Sequence, residues 1–325
     1  MTKNICIIGA GNIGSRHLQA LAKTASPLSI QVIDPFPGSL ATAKIRYEEI
    51  AGSKSQNKVT YLQDLSQITG PVDIAIIATT SNIRSSVTKQ LLVQTPVKYI
   101  IFEKILFDEI SQYQEIKSLL SQKRIKAWVN CPRRIMPFYK SLSDCVEGTK
   151  IQYIVSGSQW GLACNTIHYI DHMAYLTGCS EFKVDTTHLD KSIIQSKRKG
   201  FLELTGTLLV YFKDGSFGSL TCYPTGNVPQ IMQVLSKHYR SLTLETLGNS
   251  YISTPDSNWQ WQMKTTPLLY QSGMTNLIVS SIFKTGSCDL ITFDLSAKLH
   301  LQLFKPLLEF VNFNSKTKYK TFPFT

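Results

Sequence analysis

The chain has 325 residues, with 34 Lys and Arg against 22 Asp and Glu for a formal net charge of +12, and 43% of its residues are hydrophobic. That length exceeds the ~100–200 residues one core commonly serves, so two domains are expected. With 15 Phe, 14 Tyr and 4 Trp against 18 Gly and 13 Pro, disordered and fibrous classes are excluded.

The first 130 residues alternate short β-branched runs with amphipathic stretches. This pattern predicts strands at 4–8, 30–33, 59–62, 73–78, 98–102 and 126–130 with helices between them. Strands apolar on both faces, as in Ile74-Ala75-Ile76-Ile77, suit a parallel sheet covered by helices on both sides. The expectation for residues 1–131 is an α/β domain with a doubly wound parallel sheet. At Cys131-Pro132-Arg133-Arg134 the texture changes, and residues 132–325 read as an α+β domain with an open, mainly antiparallel sheet.

There the pattern predicts a helix over 135–146, a strand over 151–158 and a helix over 163–176 ending at Gly178. Alternating runs at 204–212 and 217–223 flank Lys213-Asp214-Gly215 as a hairpin turn. Further strands are expected at 231–235, 241–246 and 259–263. Closing helices at 276–284 and 296–312 follow, and some of them are expected to pack back on the first domain. Pro306 should kink or interrupt the last helix.

Several partner classes fall away. No apolar run reaches the ~20 residues of a membrane-spanning helix, so no membrane role is expected. The opening run to Gly9 ends in a glycine turn rather than a cleavage site. Seven scattered cysteines without a C-x-x-C pair suit a reducing, cytoplasmic setting. The longest basic cluster, Lys197-Arg198-Lys199, lacks interleaved aromatics, so nucleic acid is not an expected partner. The charge fits a diffuse basic surface or an anionic small substrate. Cys164, His168 and His172 recur every four residues, but each such step drifts ~40° round a helix and no second cluster completes a set; no metal is expected.

The sharpest signal is Gly9-Ala10-Gly11-Asn12-Ile13-Gly14, a G-x-G-x-x-G that follows a predicted strand and opens a helix. Gly9 permits the tight turn, Gly11 lets backbone approach a pyrophosphate, and Gly14 lets helix and strand pack closely; Asn12 and Ile13 bring helix N-terminal N–H groups to the phosphates. Asp34 stands 20 residues after Gly14, at the end of the next strand. It can accept hydrogen bonds from an adenosine ribose and would repel a 2′-phosphate, which favours NAD over NADP.

The run from Ile5 to His17 resembles the opening of the Gfo/Idh/MocA oxidoreductase family. In the same order, Ala78-Thr79-Thr80-Ser81-Asn82 looks like that family's A-T-P-N loop over the cofactor. Phe102-Glu103-Lys104-Ile105 looks like its E-K-P motif, Arg133-Arg134 with Pro137 like its N-R-R-x-x-P entry to the second domain, and His168 with Asp171 like its H-x-x-D helix. The resemblance implies a Rossmann domain and a substrate domain whose open sheet often mediates oligomerisation, here a homo-oligomer, dimer or tetramer. It implies hydride transfer between a nicotinamide and a hydroxyl or keto carbon of a sugar, sugar nucleotide or cyclitol. Cofactor residues carried over are Gly9, Gly11, Asn12, Ile13, Gly14, Asp34, Thr79, Thr80, Asn82 and Glu103. Lys104 and His168 take the catalytic places, and the substrate residues are Lys104, Arg133, Trp160, Asn165 and His168.

Histidine suits the acid/base role because it titrates near the working pH, and a nearby cation stabilises alkoxide character. By spacing alone, however, His168 reads equally as a core histidine, Lys104 as a solvated lysine and Trp160 as plain core; Asp171 reads as structural. The chain departs from the family where Cys164 replaces an aspartate four residues before the histidine, Ile105 replaces the proline of E-K-P, Pro132 replaces an asparagine, and Arg84 stands where the cofactor loop often has histidine. Two alternatives therefore stay open. One is a catalytically silent dinucleotide-binding sensor or assembly protein; the other is an enzyme with tightly held NAD performing redox-neutral sugar elimination or epimerisation. The expected substrate is a small carbohydrate-type molecule, with phosphorylated and nucleotide-linked forms among the candidates.

Overall fold

A computed structural model of the protein describes residues 2–52 and 55–325. Contacts divide the chain into two compact units, Met1–Asn130 with Leu269–Asp294, and Cys131–Leu268 with Leu295–Thr325.

The first unit alternates β1 (Lys3–Ile8), α1 (Asn12–Leu21), β2 (Leu28–Ile33), α2 (Pro37–Ala51), β3 (Lys58–Leu62), β4 (Val72–Ile77), α3 (Ser81–Gln94), β5 (Val97–Phe102), α4 (Ile110–Gln122) and β6 (Lys126–Val129). The six strands pair in parallel in the order β6-β5-β4-β1-β2-β3. Burial explains the sequence pattern: Ile5 to Ile8 and Ile74 to Ile77 are all inaccessible to solvent or nearly so, as parallel strands covered on both faces require. The strand order reverses between β1 and β4, and in such sheets the carboxyl ends at that reversal form the ligand crevice. Two late pieces belong to this unit, the helix Thr275–Thr285 and the short strand Ile291–Thr292, which pairs antiparallel with β6 and closes that edge.

The second unit contains α5 (Pro137–Val146), β7 (Gln152–Ser158), α6 (Leu162–Thr177), β8 (Phe182–Asp185), β9 (Ile194–Gln195), β10 (Leu202–Glu203), β11 (Gly206–Phe212), β12 (Phe217–Tyr223), β13 (Ile231–Leu235), β14 (Arg240–Leu244), β15 (Asn249–Ser253) and β16 (Gln262–Thr265). Eight strands form one open sheet, β16-β15-β14-β13-β7-β12-β11-β8, antiparallel except where β7 runs beside β12. Alternate residues such as Tyr153, Val155, Leu208, Val210 and Leu220 are buried, consistent with a sheet packed on one face. The helix α6 lies on that face: a side chain on Gly218 of β12 would meet Met173 Sδ at 3.0 Å. It ends at Gly178, whose φ of +68° is the left-handed cap that stops a helix. Arg134 grips Asp171 of α6 with two hydrogen bonds of 2.6 and 3.0 Å, so Asp171 is structural as expected.

Three details correct the sequence reading. The run 259–263 does not form a strand as a whole; Asn258 and Trp259 have φ of 47° and 61°, a left-handed step incompatible with extended pairing, and β16 starts at Gln262. All four of its residues are exposed, so no burial pattern marked its register. Leu204 and Thr205 separate β10 from β11 rather than extending the long strand. Finally, the last helix runs unbroken from Phe293 to Asn314 through Pro306. Burial of Leu303, Phe304, Leu307 and Val311 around the proline offsets the hydrogen bond it removes.

Candidate functional site

Four segments singled out in the sequence converge on one edge of the first sheet. Gly9 follows β1, Asp34 follows β2, Thr79 follows β4, and Glu103 and Lys104 follow β5, all at carboxyl ends of parallel strands.

The glycines behave as three different devices. Gly9 has φ of +94°, and a Cβ there would lie 2.9 Å from the Ala78 carbonyl carbon; its N–H is fixed to Ile33 O at 2.8 Å. A Cβ on Gly14 would fall 1.8 Å from Gly9 O, so helix and loop touch backbone to backbone. Gly11 differs, since a Cβ there would meet nothing within 4 Å. It leaves a patch of open backbone directly at the start of α1, where no side chain caps the helix. The N–H groups of Asn12, Ile13 and Gly14 in the first turn thus lack intrahelical partners and suit a phosphate.

Asp34 is buried, with Oδ2 accepting from Ala10 N at 2.7 Å and Oδ1 from Phe36 N at 2.9 Å. A carboxylate has about four acceptor positions, so two remain for ribose hydroxyls while the other two brace the glycine loop. On the far rim, Thr79 Oγ1 is buried with no hydrogen-bond partner among the described residues. Thr80 Oγ1 donates to Asn82 Oδ1 at 2.7 Å. An uncapped helix start, open backbone at Gly11, spare acceptors on Asp34 and an unsatisfied threonine fit a dinucleotide.

Two features escaped the sequence reading. Arg84 is fully buried, and its guanidinium donates to Thr79 O, Ile105 O and Leu106 O. It thereby pins the cofactor loop to the segment that follows Lys104, whose Lys104–Ile105 peptide is cis. A histidine could not span three carbonyls, so the departure at this position is a gain of rigidity. Glu103 is the other correction. Its carboxylate faces the core, where Asn130 Nδ2 donates to it at 2.5 Å and His17 Nε2 lies at 2.9 Å; His17 Nδ1 continues the network to Thr275 Oγ1 at 2.8 Å. Burial alone would raise the Glu103 pKa, but His17, Asn130 and Arg84 outweigh it and hold the group below its ordinary value. Glu103, expected at the cofactor, is thus buried with its carboxylate held by His17 and Asn130. None of His17, Asn130 and Thr275 was singled out in the sequence, since the partners that bring them together lie 27 to 258 positions apart along the chain.

In the second unit, α6 presents Cys164 and His168 one turn apart, on nearly one face. The helix begins at Gly161, with φ of +80°; a Cβ there would press on Asn165 Nδ2 and Glu203 Oε2, each 3.1 Å away. Asn165 Nδ2 donates to Trp160 O at 2.6 Å, and Trp160 Nε1 donates to Thr221 O at 2.8 Å. The place the family gives to an aspartate holds Cys164, yet a carboxylate is present. Glu203, from β10, accepts from Cys164 Sγ at 2.7 Å through Oε2, while Oε1 accepts from Ala163 N and from Leu204 N at 3.0 Å. Sequence reasoning missed it because 39 positions separate the two residues.

Arg133 does not offer an open cation. Its Nη2 is bound to Glu245 Oε1 at 2.8 Å and its guanidinium lies 4.3 Å from the centre of the Tyr169 ring. His172 is inaccessible, with Nε2 donating to Tyr139 O at 3.2 Å and Nδ1 accepting from Tyr153 Oη at 2.9 Å. Burial pushes its pKa down to about 3. Among the described residues no His, Cys, Asp or Glu group of metal-holding geometry occurs, and no helix is long and apolar enough to cross a membrane.

Residues 3–131 match the family model described as an oxidoreductase family with an NAD-binding Rossmann fold, Gfo/Idh/MocA. None of the curated proteins compared matches the chain. Among solved structures, UDP-N-acetylglucosamine 3-dehydrogenase from Acidithiobacillus ferrooxidans is similar at a TM-score of 0.70 and 10% identity, covering 94% of this chain and 96% of the other. An oxidoreductase from Agrobacterium radiobacter in complex with NAD+, L-tartaric acid and magnesium aligns at 0.70 and 13% identity, covering 93% and 94%. A 3-ketoreductase from Actinomadura kijaniata in complex with TDP-benzene and NADP aligns at 0.68 and 10% identity, covering 93% and 96%. At such identities the likeness shows a common fold across nearly the whole length. Residues 3–131 thus match the Gfo/Idh/MocA oxidoreductase family with an NAD-binding Rossmann fold, while the rest of the chain is similar to these solved structures in fold.

Proposed function

We propose that the protein is an NAD-dependent oxidoreductase acting on a hydroxyl or keto carbon of a sugar, sugar nucleotide or cyclitol. The observation that carries this reading is the cradle at the strand reversal, where uncapped helix N–H groups, open backbone at Gly11 and the two spare acceptor positions of Asp34 together match a pyrophosphate and an unphosphorylated ribose. Bound nicotinamide would supply the hydride chemistry. Lys104 supplies the cation that favours alkoxide character on the substrate oxygen, and Arg84 and Glu103 hold its segment still. His168 removes the hydroxyl proton on oxidation and returns it on reduction. Trp160 and Asn165 receive the sugar. The names of the similar structures, a sugar-nucleotide dehydrogenase and a ketoreductase, support the substrate class.

The reading includes a homo-oligomer, dimer or tetramer. Its support is a sheet face on which Ile154, Leu209, Leu235 and Leu242 are incompletely buried; light scattering in solution tests it. Incubation with NAD(H) and a panel of sugars, sugar nucleotides and cyclitols, followed at the nicotinamide absorbance, tests the activity. Absence of nicotinamide binding at millimolar cofactor would overturn the reading.

A further inference from the structure

The basic run Lys197-Arg198-Lys199 has no part in the cofactor cradle, and its setting is specific. It forms the tip of a two-stranded ribbon, in which Leu202 pairs with Gln195 and Glu203 with Ile194. Ser196 N donates to Phe201 O at 2.9 Å, and Leu202 N is tied to Pro323 O at 2.7 Å. Hydrogen bonds on both sides thus hold the tip, and the three basic residues are exposed on it.

Beneath this ribbon lies a cavity of about 260 Å3, lined by Trp160, Cys164, Asn165, Gln195, Lys197 and Glu203 among others. That volume is below the ~300 Å3 at which drug-sized pockets begin and suits a single sugar ring. An indole, an amide and further polar groups are the lining expected for such a ring. The cavity holds two opposite charges of unequal standing. Glu203 is buried and accepts from Ala163 N, Leu204 N, Cys164 N and Cys164 Sγ, three of them at or beside the positive end of α6. Its charge is therefore balanced by fixed donors. Lys197 is exposed at the mouth with Arg198 and Lys199 next to it, so the mouth is positive although the interior is polar and compensated.

Resting on the reading that the chain handles carbohydrates, we propose that this cavity takes the ring of a phosphorylated sugar and that Lys197 binds its phosphoryl group, so that the ribbon selects anionic over neutral sugars. The cavity admits the ring while the phosphoryl group stays at the rim. A hexose monophosphate and a nucleoside-diphosphate hexose present this same chemistry, the second carrying its nucleoside outward along the ribbon.

Calorimetric titration of the full chain with glucose 1-phosphate, UDP-glucose and glucose tests this at low salt, with NAD+ as a separate titrant. The expected result is that at least one phosphorylated sugar binds about tenfold more tightly than glucose, as one charge-assisted contact provides. Lys197→Ala should remove most of that difference, Lys197→Glu should reverse it, and NAD+ affinity should stay unchanged in both. The tighter of the two phosphorylated titrants identifies which source the site serves. Equal affinity for glucose and both phosphorylated sugars, binding of none of them at millimolar concentration, or unchanged preference in Lys197→Ala would each overturn the proposal. Because the readout is binding, it is separable from the oxidoreductase reading, which stands or falls on nicotinamide binding and turnover.

Discussion

The contrast between Gly11 and Gly14 gives a prediction in which stability and cofactor binding separate. In Gly14→Ala the new methyl would lie 1.8 Å from Gly9 O and 2.8 Å from Gly9 C, whereas real contacts of this kind hardly fall below 3.0 Å. The Gly9 carbonyl must therefore retreat by more than an ångström, yet its neighbours are tied down: Gly9 N to Ile33 O and Ala10 N to Asp34. Overpacking costs about 1–3 kcal/mol, and with backbone as the obstacle the upper end applies, ~3 kcal/mol. At ~2–4 °C per kcal/mol for a domain of this size, Tm falls by roughly 6–12 °C. Gly11→Ala should behave oppositely. Its φ of −63° is ordinary for any residue and its methyl enters open space, so stability changes by no more than ~1 kcal/mol, the scale of a helix-start substitution. That open space is where the pyrophosphate would lie, so NAD+ affinity should fall at least about tenfold, ~1.4 kcal/mol. Differential scanning calorimetry and NAD+ titration on both variants decide the matter. A Gly11→Ala protein that binds NAD+ normally would place the pyrophosphate elsewhere, and a Gly14→Ala protein that melts like the parent would refute the packing argument.

Other outcomes follow from the same geometry. Lys104→Ala should lower turnover by about 10²–10³, the scale of losing one charge at a developing oxyanion, while NAD+ titration stays near normal; unchanged turnover would remove Lys104 from the mechanism. Asp34→Ser should narrow the preference for NAD+ over NADP+, measured as a ratio of dissociation constants, and an unaltered ratio would mean that Asp34 only braces the loop. His172 sets a pH dependence of stability. Its pKa is about 3 in the fold against ~6.5 in the unfolded chain, so below ~6.5 only the unfolded state takes up the proton. Stability is therefore complete above that pH and declines as pH falls toward 3, by ~2 kcal/mol at pH 5. His172→Gln should flatten this decline in denaturant titrations at pH 7 and 5; an equal slope in the variant would assign it to other groups.

The legible parts of this protein are those whose physics is local. Tight turn, open backbone, helix start and acidic strand end fall within 26 consecutive residues, Gly9 to Asp34, and each follows from what glycine or a carboxylate can do at that point of a strand–turn–helix unit. The fully apolar strands likewise announced a sheet buried on both sides, and the Lys213-Asp214-Gly215 turn announced its hairpin, with Gly215 at φ of +88°. Strand β16 was misread because an exposed edge has no burial alternation to display.

What the sequence by itself determined, then, was the alternation of elements, the two-sheet architecture and the dinucleotide cradle, because periodicity and turn chemistry act between near neighbours. Only the tertiary structure decided which charges are spent and which are available. Arg133 and Glu103 resembled ligand contacts in the chain but are committed to Glu245, His17 and Asn130. Glu203, without any motif, was brought from a distant ribbon to the start of α6. A side chain's availability depends on partners that folding gathers from far along the chain, and burial makes those partners obligatory, since a charge removed from water must be paired where it comes to rest.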